Sequence, residues 1–454
     1  MTPTAARVGP HGPRPKDHPS PGVGWSIVRS PGLGLVAGLL LVAAAVLVPR
    51  LSGWEVHSRF SAPHGFPPWQ GWLDPRVGPG TLPSVLVAAT VVACGSTLAR
   101  RLSFAWLAIA AFLTSLAWLV SLALIDGTAG VSGVLGVPNE YLGTARSVHD
   151  VPAFLDGFVD RVPLHAADNW PVHVSGHPPG MTLFFVALAR TGLGGDLAAG
   201  LVVTVLAATI VPAVLVTLRA LDAEEVGRRV VPFLVLTPAA LLLAVSADAV
   251  MATVAAWGLA ALALAATRSL WWCLPAGLLL GGLVLLSYGL GLAGCLALAV
   301  LVAARSWRPL LPTALVALAV PLSLAPFGYW WPEGFTVLRE RYWDGVASLR
   351  PASYWLWADL ALLVATVGPW ASAGLSRLRD LPRAPLALVV GALVAVLVAD
   401  LSLMSKAEVE RIWLPFMPWL TLAADALPRA WRRPALIGQA CWTLLVAHLL
   451  FLGW

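Results

Sequence analysis

An all-α membrane helix bundle is the fold class this sequence predicts, and three observations lead to it. Of the 454 residues 58% are apolar and only 11% are charged, with a mean hydropathy of +0.80. A soluble protein carries roughly 25% charged residues, so a bilayer has to solvate most of this surface. The apolar runs are continuous and rich in Leu, Ala and Val, without the alternation a transmembrane β-barrel requires. The arginines fall in short clusters between the runs, which is how helices are oriented in a membrane. The net charge of +6 therefore implies no nucleic-acid partner.

Each element follows in order. Residues 1–31, rich in Pro, Gly and basic side chains, read as a disordered tail, and 32–454 as one integral membrane domain. Arg7, Arg14, Lys16 and Arg29 place the tail in the cytoplasm. The run 33–48 has no small-x-small cleavage site after it and reads as an uncleaved anchor. Spans at 33–49, 82–99 and 103–125 make the loops 50–81 and 126–178 extracytoplasmic and put Arg100 and Arg101 inside. The next apolar segment, 179–193, contains Arg190 and is short of the roughly 20 residues a span needs. As a half-helix it keeps Arg219, Arg228 and Arg229 inside, and with them every later basic cluster from Arg268 to Arg433. Further spans follow at 196–218, 230–245, 249–266, 270–286, 288–304, 309–326, 355–375, 384–404, 412–427 and 435–453. The total is about thirteen crossings, on a need of ~20 residues each, in the cell membrane. Cys94, Cys273, Cys295 and Cys441 lie in apolar runs without shared spacing and read as core residues.

This topology collects the conspicuous polar residues on the outer face. The 139–180 loop is there, with two short amphipathic helices divided at Pro152, suited to lying flat on the membrane. So are Asp248, the aromatic and charged stretch 327–353 with Arg339 and Arg341, and Lys406-Ala407-Glu408-Val409-Glu410-Arg411. Pro178 and Pro179 fix the backbone at the mouth of the next helix. They hold His177, four residues after His173, on the outer side. The tryptophans and Tyr354 around 330–357 fit an aromatic belt, or a platform for stacking sugars. The loop 50–81, with Trp54, His57, His64 and Trp69, reads as an interfacial loop or as part of an acceptor surface.

Asn139-Glu140-Tyr141 after a span, interfacial helices, then His177-Pro178-Pro179-Gly180 opening the next helix: this order resembles the GT-C superfamily of membrane glycosyltransferases, such as protein O-mannosyltransferases and lipid A aminoarabinose transferase. Ser246-Ala247-Asp248 stands where members keep an outer-face acidic residue, and the 406–413 stretch is similar to their acidic-Arg-aromatic motif. The match is closest over 103–260. It departs at Asn139, where an acidic residue is usual, and at Gly180, where leucine is usual. The resemblance implies an inverting transfer of a sugar from a polyprenyl-phosphate donor to a lipid, glycan or protein acceptor.

For that task a hydroxyl acceptor benefits from a carboxylate base, with Glu140 as first choice and Asp248 as second. Glu140 reads equally as a charge partner at a helix N-terminus, and Asp248 as a helix cap. The leaving phosphate needs fixed cations. His177, Lys406 and Arg411 are candidates, with Arg339 and Arg341 behind them, although Lys406 and Arg411 also suit ion pairs with Glu408 and Glu410. The pair His173 and His177 leaves a divalent cation open as a cofactor, but no metal-ligand set is evident. Two other classes stay open: a transporter or lipid flippase, for which Asp359 or Asp400 would relay protons, and a non-catalytic scaffold for envelope assembly.

Overall fold

The structure, a computed structural model, describes residues 30–60 and 65–452. Nearly all of the expected tail, and His64, lie outside them. Among the described residues the chain is helical apart from one two-stranded ribbon. Seven helices are long and apolar enough to cross a membrane: α1 (Pro31–Ser52), α2 (Thr81–Arg101), α3 (Phe104–Asp126), and, further on, Asp196–Ala220, Ala247–Thr267, Leu310–Phe327 and Arg383–Leu401. An eighth is bent by 101° between Ala352–Val367 and Pro369–Leu375.

The segment after α3 is built from short helices. α4 (Tyr141–Ser147) is followed by Val151–Asp156, which starts where Pro152 interrupts the run and is capped by Asp150 accepting from the Ala153 N–H at 3.1 Å. Then α5 (Gly180–Arg190) enters the bundle with only 11 residues. A Cβ on Gly180 would lie 2.4 Å from the carbonyl oxygen of Leu285. Glycine therefore lets α5 start against the chain around Leu285, which explains why leucine is absent there.

Beyond α6 (Asp196–Ala220) two expected spans take another form. The stretch 230–245 is divided between Glu224–Val235 and the single turn Ala240–Leu243, with Thr237-Pro238 between them. The stretch 412–427 contains only short helical turns, because Pro415 and Pro418 remove donors from the ladder. Its side chains are almost all buried, so the protein itself satisfies it.

The hub of the bundle is α7 (Ala247–Thr267), 78% of whose apolar window is buried, whereas α8 (Leu310–Phe327) is only 6% buried and lies at the periphery. Small residues bring helices close. At Gly281, in Leu270–Leu286, an added Cβ would sit 2.4 Å from the Ala317 carbonyl oxygen.

The two ends of the bundle differ in chemistry. At one end Arg228 donates to the carbonyls of Ala99 and Leu102 at 2.7 and 2.9 Å, finishing α2. Beside it Arg229 and Arg432 share Asp425 at 2.6 and 3.6 Å. At the other end Arg76 pairs with Asp126 at 2.5 Å, close to where α2 begins and α3 stops. Strand β1 (Trp72–Leu73) pairs there with β2 (Leu450–Phe451), antiparallel, and fastens the 65–76 loop to the last helix, Arg429–Leu449.

Candidate functional site

Four separate pieces of chain meet at the second end. The turn before α4 supplies Glu140, the N-cap residue, whose neighbour Tyr141 is the first helical residue. The turn before α5 supplies His173 and His177. The first turn of α7 supplies Asp248, capped in place by Ser246, whose hydroxyl accepts from the Ala249 N–H at 3.2 Å. The short helix Val409–Ile412 supplies Arg411.

Arg411 stands between two carboxylates. Its Nε donates to Asp248 Oδ2 at 2.8 Å, and one terminal nitrogen reaches the same oxygen at 2.7 Å and Glu140 Oε1 at 3.8 Å. All three side chains are buried, at 5–6% exposure. Such a low-dielectric group persists only when charges are matched. Burial disfavours the guanidinium, but Asp248, Glu140 and Glu408 outweigh it and hold Arg411 above its ordinary pKa.

Glu140 is also gripped by His173, whose Nδ1 lies 2.8 Å from Oε1. Burial pushes the Glu140 carboxyl up; the His173 ring and then the Arg411 guanidinium more than reverse this, so it titrates below the ordinary glutamate range. The second oxygen, Oε2, is buried and has no hydrogen-bond partner among the described residues.

Glu140, Asn139 and His173 line a cavity of about 290 Å³. Arg59, Arg76 and Asp126 are its other charged lining residues. Leu122, Val134, Leu241 and Phe451 belong to its apolar wall. The cavity lining mixes charged and apolar side chains.

His177 takes a different place from the expected one. Its Nδ1 lies 2.9 Å from the His173 carbonyl oxygen and 2.8 Å from the Tyr141 hydroxyl. A carbonyl only accepts, so Nδ1 carries a proton. Burial disfavours the imidazolium and lowers the His177 pKa. With Nδ1 engaged by a carbonyl and a hydroxyl, and the ring outside the cavity lining, His177 does not stand at the phosphate position expected from the sequence. His177 instead steadies Tyr141, which stacks on Phe185 of α5 at 5.9 Å.

Other expected residues lie apart from the cavity. Lys406, expected at the donor phosphate, turns back to donate to the Arg350 carbonyl at 2.9 Å and packs over Trp343. Arg341 donates to the carbonyls of Val162 and Trp170 at 2.5 and 3.2 Å, fastening the 139–180 loop rather than meeting a ligand. Arg339 is exposed on the helix Trp331–Asp344. Glu408 pairs with Arg350 at 3.3 Å, and Glu410, wholly buried, accepts from the Gln70 N–H at 3.3 Å. Ala407 and Glu408 form the tight turn that separates these two glutamates, with φ of 66° and 62°.

Arg59, Arg76 and Arg350 were not singled out in the sequence. The available signal was their sidedness, because arginines in a predicted outer loop oppose the usual charge bias and ask for a partner. Among the described residues no three His, Cys, Asp or Glu side chains are grouped to hold a metal ion. Of the carboxylates lining the cavity, Asp126 pairs with Arg76 and Glu140 with His173 and, at longer range, Arg411; Asp248, Arg411 and His177 stand behind the lining.

No family model, curated protein or solved structure matches the chain.

Proposed function

We propose that this protein is a membrane glycosyltransferase that moves a sugar from a polyprenyl-phosphate donor to an acceptor hydroxyl on the extracytoplasmic side. The observation that carries the reading is Glu140. Its Oε1 is fixed by His173, its Oε2 is unpartnered, and the carboxylate lines the cavity. A carboxylate held ionised, with one oxygen uncommitted to any partner, is suited to take the proton of an acceptor hydroxyl brought against it. Arg59 and Arg76 in the lining suit the leaving phosphate, and the apolar wall suits the first isoprene units. Asp248 acts through Arg411, holding it against Glu140.

In this reading the short and broken segments complete about thirteen crossings or re-entrant passages, on a span length of ~20 residues. The helices of 126–178 lie at the outer interface, and the N-terminus is cytoplasmic. The basic end of the bundle faces the cytoplasm, in keeping with the positive-inside bias.

A second reading has one observation in its favour. The helix broken by 101° after Ala352–Val367, with Asp359 and Asp400 buried nearby, is a feature of transporters and flippases. Transfer from radiolabelled polyprenyl-phosphate sugars by purified protein separates the two. Glu140→Gln is expected to lower kcat by roughly 10²–10⁴ with the fold intact. Full transfer by that variant removes Glu140 from the mechanism. Absence of transfer by the wild type with every common donor, together with lipid movement in proteoliposomes, selects the second reading.

A further inference from the structure

Asp359 sits on the apolar helix Ala352–Val367, 1% exposed, outside the cavity lining. A carboxylate placed there is costly to bury, so its partner matters. Both of its oxygens lie within hydrogen-bond distance of one donor, the Ala407 backbone N–H, at 3.2 and 3.3 Å. That donor opens an uncommon stretch of backbone. Ala407 and Glu408 are consecutive non-glycine residues in the left-handed region, with φ of 66° and 62°, a conformation disfavoured by the contact of Cβ with the carbonyl.

The turn has a direct consequence for the site. The Glu408 carbonyl accepts from the N–H groups of Arg411 and Ile412 at 3.0 and 3.2 Å, starting the short helix that carries Arg411. Arg411 then reaches Asp248 and Glu140. Around the turn, Arg350 adds a second clamp, donating to the Lys406 carbonyl at 2.7 Å and pairing with Glu408. The Arg350 clamp holds the flanks, while Asp359 alone among the described residues is recorded holding the Ala407 N–H.

We propose that Asp359 is a positioning residue: by accepting the Ala407 N–H it stabilises the left-handed turn at 407–408 and thereby sets Arg411 between Glu140 and Asp248. This rests on the reading of Glu140 and Arg411 as reaction residues where transfer is concerned, but its structural half stands independently. It also gives Asp359 a purpose other than the proton relay of the transporter reading.

The test uses the full-length protein in detergent and four variants: Asp359→Ala, Asp359→Asn, Ala407→Gly, and Asp359→Ala combined with Ala407→Gly. Hydrogen–deuterium exchange over 403–414 reads the turn, and transfer kinetics read the site. Asp359→Ala is expected to speed exchange at 406–412 roughly tenfold, in line with the disfavour for a left-handed residue bearing Cβ. It should lower kcat more than it raises KM. Ala407→Gly, which removes the Cβ contact, should return exchange and kcat in the double variant to within about threefold of wild type, since glycine adopts this region freely. Asp359→Asn keeps one acceptor oxygen and should exchange within about threefold of wild type, because a neutral hydrogen bond replaces a charge-assisted one.

Unchanged exchange in Asp359→Ala overturns the proposal. So does a double variant that folds with the wild-type melting temperature yet keeps the fast exchange. If Asp359→Ala does not fold, the double variant decides: folding restored by Ala407→Gly supports the proposal, and a double variant that still fails to fold overturns it. If wild type transfers no sugar, the glycosyltransferase reading fails while the exchange result still decides the role of Asp359.

Discussion

Arg411 bridges two carboxylates, and its removal tests how the site is held. Replacing it with alanine leaves the buried Asp248 carboxylate without its guanidinium, and Glu140 with His173 alone. Loss of one partner of a buried ion pair costs about 3–5 kcal/mol, so Arg411→Ala should melt well below wild type in a thermal scan. Asp248→Asn in the same background should recover part of the loss; an additive result would show that the two side chains do not interact. Glu410 provides a pH test. Burial, with Glu408 next to it, pushes its carboxyl up to about 7 from an ordinary value of 4.5. The folded state therefore binds more protons than the unfolded chain between those values, and stability falls as pH rises through that window. The loss approaches about 3 kcal/mol above pH 7. Glu410→Gln should flatten the pH dependence of the melting temperature between pH 5 and 8 and be the more stable protein at pH 8. An unchanged slope would remove Glu410 as its source. Much of this cluster was legible in the sequence, since Glu140, His173, Asp248 and Arg411 were singled out and prove to be neighbours. Side-chain direction was not legible. Lys406 turns to the Arg350 carbonyl, and Arg341 to the carbonyl of Val162 in the 139–180 loop, choices that spacing along the chain does not encode.

Among the elements, α5 shows most directly how local sequence serves the site. The prolines before it fix His177, and Gly180 lets the helix begin against the Leu285 carbonyl. Gly180→Leu introduces a Cβ 2.4 Å from that oxygen. Such overpacking costs typically 1–3 kcal/mol, so this variant should melt lower than wild type and widen the spacing of His177 from Tyr141. A variant with wild-type stability would show that the helix start shifts freely. The short length of α5 was legible from 179–193, as were the breaks at Pro152. The interruption of 412–427 was not. Its composition is apolar enough for a span, and only packing reveals that Pro415 and Pro418 divide it into turns buried within the protein.

For the whole molecule, the separation of the arginine-rich end from the site end carries the topology. A version lacking Cys94, Cys273, Cys295 and Cys441, with one cysteine introduced at Asp168 or at Arg433, tests it. Membrane-impermeant maleimide on intact cells should label the Asp168 position, and the Arg433 position only after permeabilisation. Labelling of both from one side would overturn the assigned sidedness. The membrane class of the chain was readable because composition alone forces it. The number of crossings was less so, since helices such as Leu270–Leu286 and Tyr288–Ala304 are short and owe their register to close packing rather than to length.

The shape of the cavity has a practical consequence for work with this protein. A space of about 290 Å³ lined by two arginines and several apolar side chains also suits the head and first carbons of an amphiphilic phosphate detergent. Micelles of alkyl phosphocholine would then act as competitors as well as solvent. Activity should be higher in a neutral maltoside, and titrating in dodecyl phosphate should raise the apparent KM for the lipid donor while leaving kcat unchanged.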